Sequence, residues 1–274
     1  MQASTHFITI GQSKLSYQKY GEGAEIWLCF HGFGQDHSFI MPLVHSLQKA
    51  CTFYSFDMFF HGQSHWEEAS EAISSVFWQQ CLEVFFLQES SINTFSVLGY
   101  SLGGKFALAT LLAQPQRVKK MVLVASEGIE EHRVYKIATR NSWGRFFFKK
   151  FTHQAHSPIP WLLDGAQKMR LIPTKTHHFI QQQWQSPENR KKLYRTWQLT
   201  RGLFFQPIVV AELLCKYQIV THFVIGNHDT VVPFARVRAL YKLLPDALKI
   251  LTFVDAKHHQ IIRNMENNIL ILPS

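Results

Sequence analysis

Cysteine is scarce in these 274 residues: there are four, Cys29, Cys51, Cys81 and Cys215. They are scattered and form no C-x-x-C pair, so they read as reduced apolar residues, the usage of a cytoplasmic protein. No apolar run approaches the roughly 20 residues of a membrane-spanning helix, so no stable membrane insertion is expected. The opening Met1-Gln2-Ala3-Ser4-Thr5-His6 lacks a basic stretch followed by an apolar one, so no secretory leader is expected either. The 15 histidines fall into no familiar ligand spacing. No metal is therefore expected. Nothing repeats, nothing is low-complexity, and no nucleic-acid motif is present.

Acidic residues are also few. The formal net charge is +9, from 28 Lys and Arg against 19 Asp and Glu. Between Glu127 and Leu214 the count is 14 against 6, a surplus of +8. Such a surplus is either a solvated basic face or a preference for an anionic substrate, acyl carrier or membrane surface.

What the chain does have is apolar content, 46% of residues, with 23 phenylalanines. That suffices for one large α/β domain or two average ones. His6 to Ile10 and Leu15 to Tyr20 alternate around Gly11 and read as a hairpin. Ile26 to Phe30 and Thr52 to Phe56 read as buried strands, Phe39 to Leu47 and Ser75 to Gln88 as helices. Thr94 to Leu98 reads as strand, Lys105 to Leu112 as helix, and Met121 to Ala125 as strand. The rhythm is that of a mostly parallel sheet covered by helices. It then breaks. Helical pieces follow at 133–151, 160–172, 175–185, 187–199 and 207–216, punctuated by prolines. Strands resume at Ile219 to Ile225 and Lys249 to Val254, with helices at 234–244 and 261–271.

The most informative stretch is Val97-Leu98-Gly99-Tyr100-Ser101-Leu102-Gly103-Gly104. A strand that reverses into a helix within a few residues needs a tight, strained turn. Gly99, Gly103 and Gly104 remove the side chains that would collide there. Ser101 is left at the apex, and the helix behind it offers free N–H groups. Asp229 follows another strand, in Gly226-Asn227-His228-Asp229-Thr230-Val231-Val232-Pro233. His258-His259 follows the last strand. Loops at the carboxyl ends of strands in an open α/β sheet gather round one crevice. A serine hydroxyl needs a base, histidine supplies one near neutral pH, and a carboxylate orients it.

On these residues the sequence closely resembles the α/β-hydrolase family. The order Ser, Asp, His matches, as do the G-x-S-x-G turn and the surroundings of Asp229. His31-Gly32 looks like the family's oxyanion loop. Asp57 with His61-Gly62-Gln63-Ser64 looks like its D-x-x-G-H-G-x-S turn, with Phe60 in place of the first glycine. The resemblance implies an α/β-hydrolase fold with a mostly parallel eight-stranded sheet. It places the core at 1–126 and 217–274, and a helical cap insertion at 127–216. It implies Ser101 as nucleophile, His258 as base and Asp229 as its partner. The backbone N–H groups of Phe33 and Leu102 would form the oxyanion hole, with His31, Gly32, Tyr100 and Val231 near the substrate.

Two departures keep alternatives open. Lys257 stands where the family has Gly before its histidine, so His259 remains a second candidate base. Glu127, after the strand before the insertion, is a second candidate acid; Asp57 reads as turn chemistry. Within the insertion, the aromatics of Trp143 to Phe151 are expected to pack onto the sheet domain, with a pocket wall or a lipid-facing surface as the other readings. Trp161, Trp184 and Trp197 are read as core before pocket, and His177-His178 as solvated surface.

The expected function is cleavage of a carboxylic ester or related acyl bond of a small, partly apolar substrate, with an anionic one allowed; the triad needs no metal or organic cofactor. Carbon–carbon bond hydrolysis, acyl transfer or peracid chemistry on the same triad are the enzymatic alternatives. A non-catalytic ligand-binding module is the other.

Overall fold

In the computed structural model the described residues are 5–67, 72–154, 159–169, 181 and 184–265. His177-His178, most of the expected helix at 175–185, and the end of the helix expected at 261–271 lie outside them.

Eight strands form one sheet in the order β1-β2-β4-β3-β5-β6-β7-β8. They are β1 (Thr5–Ile10), β2 (Ser13–Tyr20), β3 (Glu25–Phe30), β4 (Cys51–Phe56), β5 (Phe95–Tyr100), β6 (Val118–Val124), β7 (Val220–Gly226) and β8 (Lys249–Val254). The hairpin β1–β2 is antiparallel, and β2 joins β4 antiparallel. Every later pairing is parallel. Continuous apolar runs suit parallel strands covered on both faces. Accordingly β4 and β5 are buried at every residue. The expected strand over Thr94 to Leu98 runs on to Tyr100, because Gly99 and Tyr100 keep pairing with Leu123 and Val124 of β6.

From β3 the chain goes outward to β4, then returns to lay β5 on the other side of β3. The strand order therefore reverses between β3 and β5, the place where open α/β sheets put their ligand crevice. His31 follows β3 there and Ser101 follows β5.

Helix α1 (Met41–Leu47) admits Pro42 in its first turn, where no donor is lost. Helix α2 (Ser75–Gln88) is capped by the Ser74 side chain, which accepts from Phe77 N. Helix α3 (Gly103–Ala113) is buried from Gly103 to Leu111, which explains why its residues there, Lys105 apart, are small or apolar. Cys29, Cys51 and Cys81 are buried free thiols. Burial pushes Cys81 up to about 12, so it is inert packing rather than chemistry.

By internal packing the chain divides into two compact units, Met1–Glu130 with Gly202–Ser274, and Glu131–Arg201. The second unit lies within the expected insertion of 127–216. The helix Pro207–Lys216, at the far end of that span, belongs to the first unit and packs on α3. The second unit begins with α4 (Arg133–Arg140) and α5 (Ser142–His153). One helix was expected over 133–151. Asn141 breaks it: its backbone is extended and its side chain caps α5 by accepting from Gly144 N. The unit continues with helices Ile159–Lys168 and Pro187–Thr200.

The turn after β4 is held by Asp57. Its carboxylate accepts from His37 N at 2.7 Å, Ser16 Oγ at 2.8 Å and Gln63 N at 3.1 Å. This is turn chemistry. A Cβ on Gly62 would fall 2.1 Å from the Asp57 carboxyl carbon. Phe60 sits at φ +67°, the left-handed region, which explains why the family pattern has glycine there. Phe60→Gly should therefore be more stable than Phe60→Ala by about 1 kcal/mol, measured by urea unfolding. The reverse order would contradict a strained backbone at this position.

Candidate active site

Ser101 lies directly beyond β5 at φ +51° and is 6% exposed. Its N–H donates to Val124 O at 2.9 Å, and its carbonyl accepts from Gly104 N and Glu127 N, both at 2.9 Å. The three glycines have separate reasons. A Cβ on Gly99 would meet the Ala107 Cβ at 2.7 Å, one on Gly103 the Phe30 carbonyl oxygen at 2.0 Å, and one on Gly104 the Ser126 Oγ at 1.8 Å. Only bare backbone lets the turn press between β3, β6 and α3 while holding Ser101 in a strained conformation.

Asp229 follows β7. Its N–H donates to Gly226 O at 3.0 Å, and a Cβ on Gly226 would fall 2.5 Å from Ala256 O. Asn227 and His228 donate to Val254 and Ala256 carbonyls, tying the ends of β7 and β8 together. That junction brings Asp229 to His258. His258 Nδ1 lies 2.6 Å from Asp229 Oδ2, and His258 Nε2 lies 3.0 Å from Ser101 Oγ. Asp229 Oδ1 accepts from Val231 N at 2.8 Å and Val232 N at 3.0 Å. Burial alone would lift this carboxyl. The hydrogen bond and charge of His258 and the two backbone donors outweigh it, leaving Asp229 below the usual carboxylate range.

The rival candidates fall elsewhere. His259 is exposed and its side chain makes no hydrogen bond among the described residues. Glu127 meets the serine turn through its backbone, donating to the Ser101 carbonyl. Lys257 has φ −78°, so a side chain is accommodated without strain where the family pattern has glycine.

Leu102 opens α3 with helical dihedrals and no side-chain cap. Neither its N–H nor that of Phe33 meets an acceptor among the described residues. The loop carrying Phe33 is fixed from both sides. Gly32 N donates to Gln35 Oε1 at 3.0 Å, and Gly34 N donates to His61 Nε2 at 3.0 Å. His31 is fully buried, accepts from Met58 N at Nε2 (2.9 Å), and its Nδ1 lies 2.6 Å from Gly32 O. With Nε2 accepting, Nδ1 carries the proton and donates. His31 thus holds the loop, and its ring nitrogens are engaged there.

Tyr100 was expected beside the substrate. It is 3% exposed, and its hydroxyl donates to the His258 carbonyl at 2.7 Å. Its ring stacks on the His258 imidazole with centroids 5.2 Å apart. A Cβ on Gly32 would lie 3.1 Å from the same ring. Burial, then the Asp229 charge, push its phenol up, so it remains a donor. Sequence spacing gave no signal for this contact, which joins residues on β5 and after β8. Val231, the other expected neighbour, is 43% exposed. Among the described residues no cluster of three or more His, Cys, Asp or Glu is placed to hold a metal ion. No described helix is long and apolar enough to cross a membrane.

Fold and site together define a class. A profile of the alpha/beta hydrolase fold matches residues 28–264, and the chain belongs to that family. A dihydrolipoyllysine-residue acetyltransferase component of an acetoin cleaving system, from Cupriavidus necator, is 30% identical over 126 residues, 46% of this chain and 33% of that protein. The match thus spans about a third of that relative's length. A thioesterase domain from the curacin biosynthetic pathway superposes with TM-score 0.67 at 16% identity, covering 99% of this chain and 100% of that one. A thermophilic esterase from Thermogutta terrifontis gives TM-score 0.66 at 15% identity, covering 98% and 95%. At such identities these likenesses concern the fold alone.

Proposed function

We propose that the protein is a serine hydrolase that cleaves a carboxylic ester or related acyl bond through an acyl-enzyme. The observation that carries this reading is the continuous chain Ser101 Oγ, His258 Nε2, His258 Nδ1, Asp229 Oδ2, with contacts of 3.0 and 2.6 Å. His258 takes the Ser101 proton as the oxygen attacks the acyl carbon. Asp229 keeps the Nδ1–H tautomer and stabilises the imidazolium that results. The oxyanion forms near the N–H groups of Leu102 and Phe33, with the positive end of α3 behind it. His258 returns the proton to the leaving group, and the acyl-enzyme forms. Water, deprotonated by His258, then releases the acid and regenerates Ser101.

Tyr100 acts here as a positioning residue for His258. Tyr100→Phe removes the hydroxyl clamp and keeps the stacked ring. It should lower kcat by no more than about tenfold with KM unchanged, the scale of one hydrogen bond. Tyr100→Ala should cost about 100-fold, because the imidazole loses its platform. Equal losses in both variants would contradict the positioning role.

The test of the function is a p-nitrophenyl ester series of increasing acyl length, run beside vinylogous 1,5-diketones. Turnover of esters that disappears in His258→Ala supports the proposal. Turnover of the diketones alone would replace it with carbon–carbon bond hydrolysis.

A further inference from the structure

We propose that the helical pair α4–α5 is a docking surface for an anionic lipid bilayer. The inference is independent of the catalytic reading. On α5, Phe148 and Thr152 are buried, and Phe148 packs on Tyr194 and Trp197 with centroids 5.4 and 5.3 Å apart. The aromatics expected to be covered by the sheet domain are instead largely exposed. Trp143 is 74% exposed, Phe146 58% and Phe147 44%. Trp161, also expected inside, is exposed as well.

These side chains are ordered along the helix. Trp143, Phe147 and Phe151 are four residues apart and form one line. Phe147 stacks on Phe151 at 5.9 Å and meets Phe146 edge-on at 5.5 Å. Exposed Val134 and Ile137 of α4 line the same open groove, of about 450 Å³.

Cations flank this apolar strip. Arg133 and Lys136 share one side of α4 by their spacing of three; Lys149 and Lys150 lie on α5. Glu131 is the only carboxylate between residues 131 and 154. It is spoken for by Arg140, whose Nη2 and Nε donate to it at 2.7 and 3.1 Å. Protruding aromatics with long basic side chains beside them match a lipid interface. The rings enter the headgroup boundary and the cations meet phosphates.

Two other occupants fit less well. A small acyl ligand needs a cavity that encloses most of its surface, and this groove is open. A second copy, packed face to face, would set the same cations against each other.

The experiment is co-sedimentation of the full chain with phosphatidylcholine vesicles, and with phosphatidylcholine–phosphatidylglycerol vesicles. Three variants accompany it: Trp143→Ala with Phe147→Ala, Lys149→Glu with Lys150→Glu, and Lys119→Glu with Lys242→Glu as a charge-matched change on the first unit. All six positions are solvent-exposed, so the fold should persist. The native chain should bind the phosphatidylglycerol vesicles at least about tenfold more tightly than phosphatidylcholine alone. Each α5 variant should lose about tenfold or more, and the third variant less than about threefold. Equal binding to both vesicles, or an equal loss in the third variant, would overturn the proposal. So would a lipid-free dimer that the Trp143 and Phe147 changes dissociate. A raised KM for a soluble ester with vesicle binding unchanged would assign the face to substrate instead.

Discussion

Ser101→Ala is expected to reduce ester turnover by roughly four to six orders of magnitude while leaving the fold intact. The magnitude follows from the chemistry. Without an attacking oxygen, His258 and Asp229 have nothing to activate, and only binding and oxyanion stabilisation remain. The fold should survive because Ser101 contributes backbone hydrogen bonds, to Val124, Gly104 and Glu127, that alanine retains. Alanine at φ +51° bears the same backbone strain as serine, so the melting temperature should barely move. Turnover and thermal unfolding, measured on one preparation, separate lost chemistry from lost structure. Retained turnover above about a hundredth of the native rate would place the nucleophile elsewhere.

Asp229→Asn should cost about 10,000-fold in kcat. The amide can present its NH2 to His258 Nδ1 and so favour the wrong tautomer, with the proton on the nitrogen that faces Ser101. The substitution has a second, independent signature in stability. Asp229 titrates below the usual carboxylate range in the folded chain, first against burial, which raises it, and then through His258 and two backbone donors, which win. A lowered carboxylate contributes stability that is complete above the ordinary carboxylate value. That stability is lost as pH falls from the ordinary carboxylate value through the lowered one. The native melting temperature should therefore decline more steeply over that window than that of Asp229→Asn. Parallel acid limbs would contradict a stabilised Asp229 carboxylate.

The core of the fold was legible because its signals are local. Buried parallel strands read as unbroken apolar runs, and Gly99, Gly103 and Gly104 announced a turn that no Cβ could enter. Phe60 was legible as a departure from a pattern, and its φ of +67° supplies the physical meaning of the glycine it replaces. The geometry that brings Ser101, Asp229 and His258 together was legible only as strand ends converging on a crevice.

Other features carry no local signal. His258 and His259 are adjacent and chemically identical. Which one meets Asp229 depends on how the segment after β8 crosses Tyr100. The Tyr100 hydroxyl reaches a carbonyl 158 residues later in the chain. No spacing rule encodes that contact. The single helix expected over 133–151 failed at Asn141, whose capping bond competes with helical continuation. The aromatic line of α5 has the period of a buried stripe. Period tells which residues share a face, and only packing decides whether that face is covered.

The most direct test of the central claim is intact-mass analysis after treatment with a small fluorophosphonate, on the native chain and on Ser101→Ala. The native chain should gain one phosphonyl group, mapped to Ser101, and the variant none. A folded native chain that stays unlabelled, or a variant that labels equally, would contradict an activated serine at the end of β5.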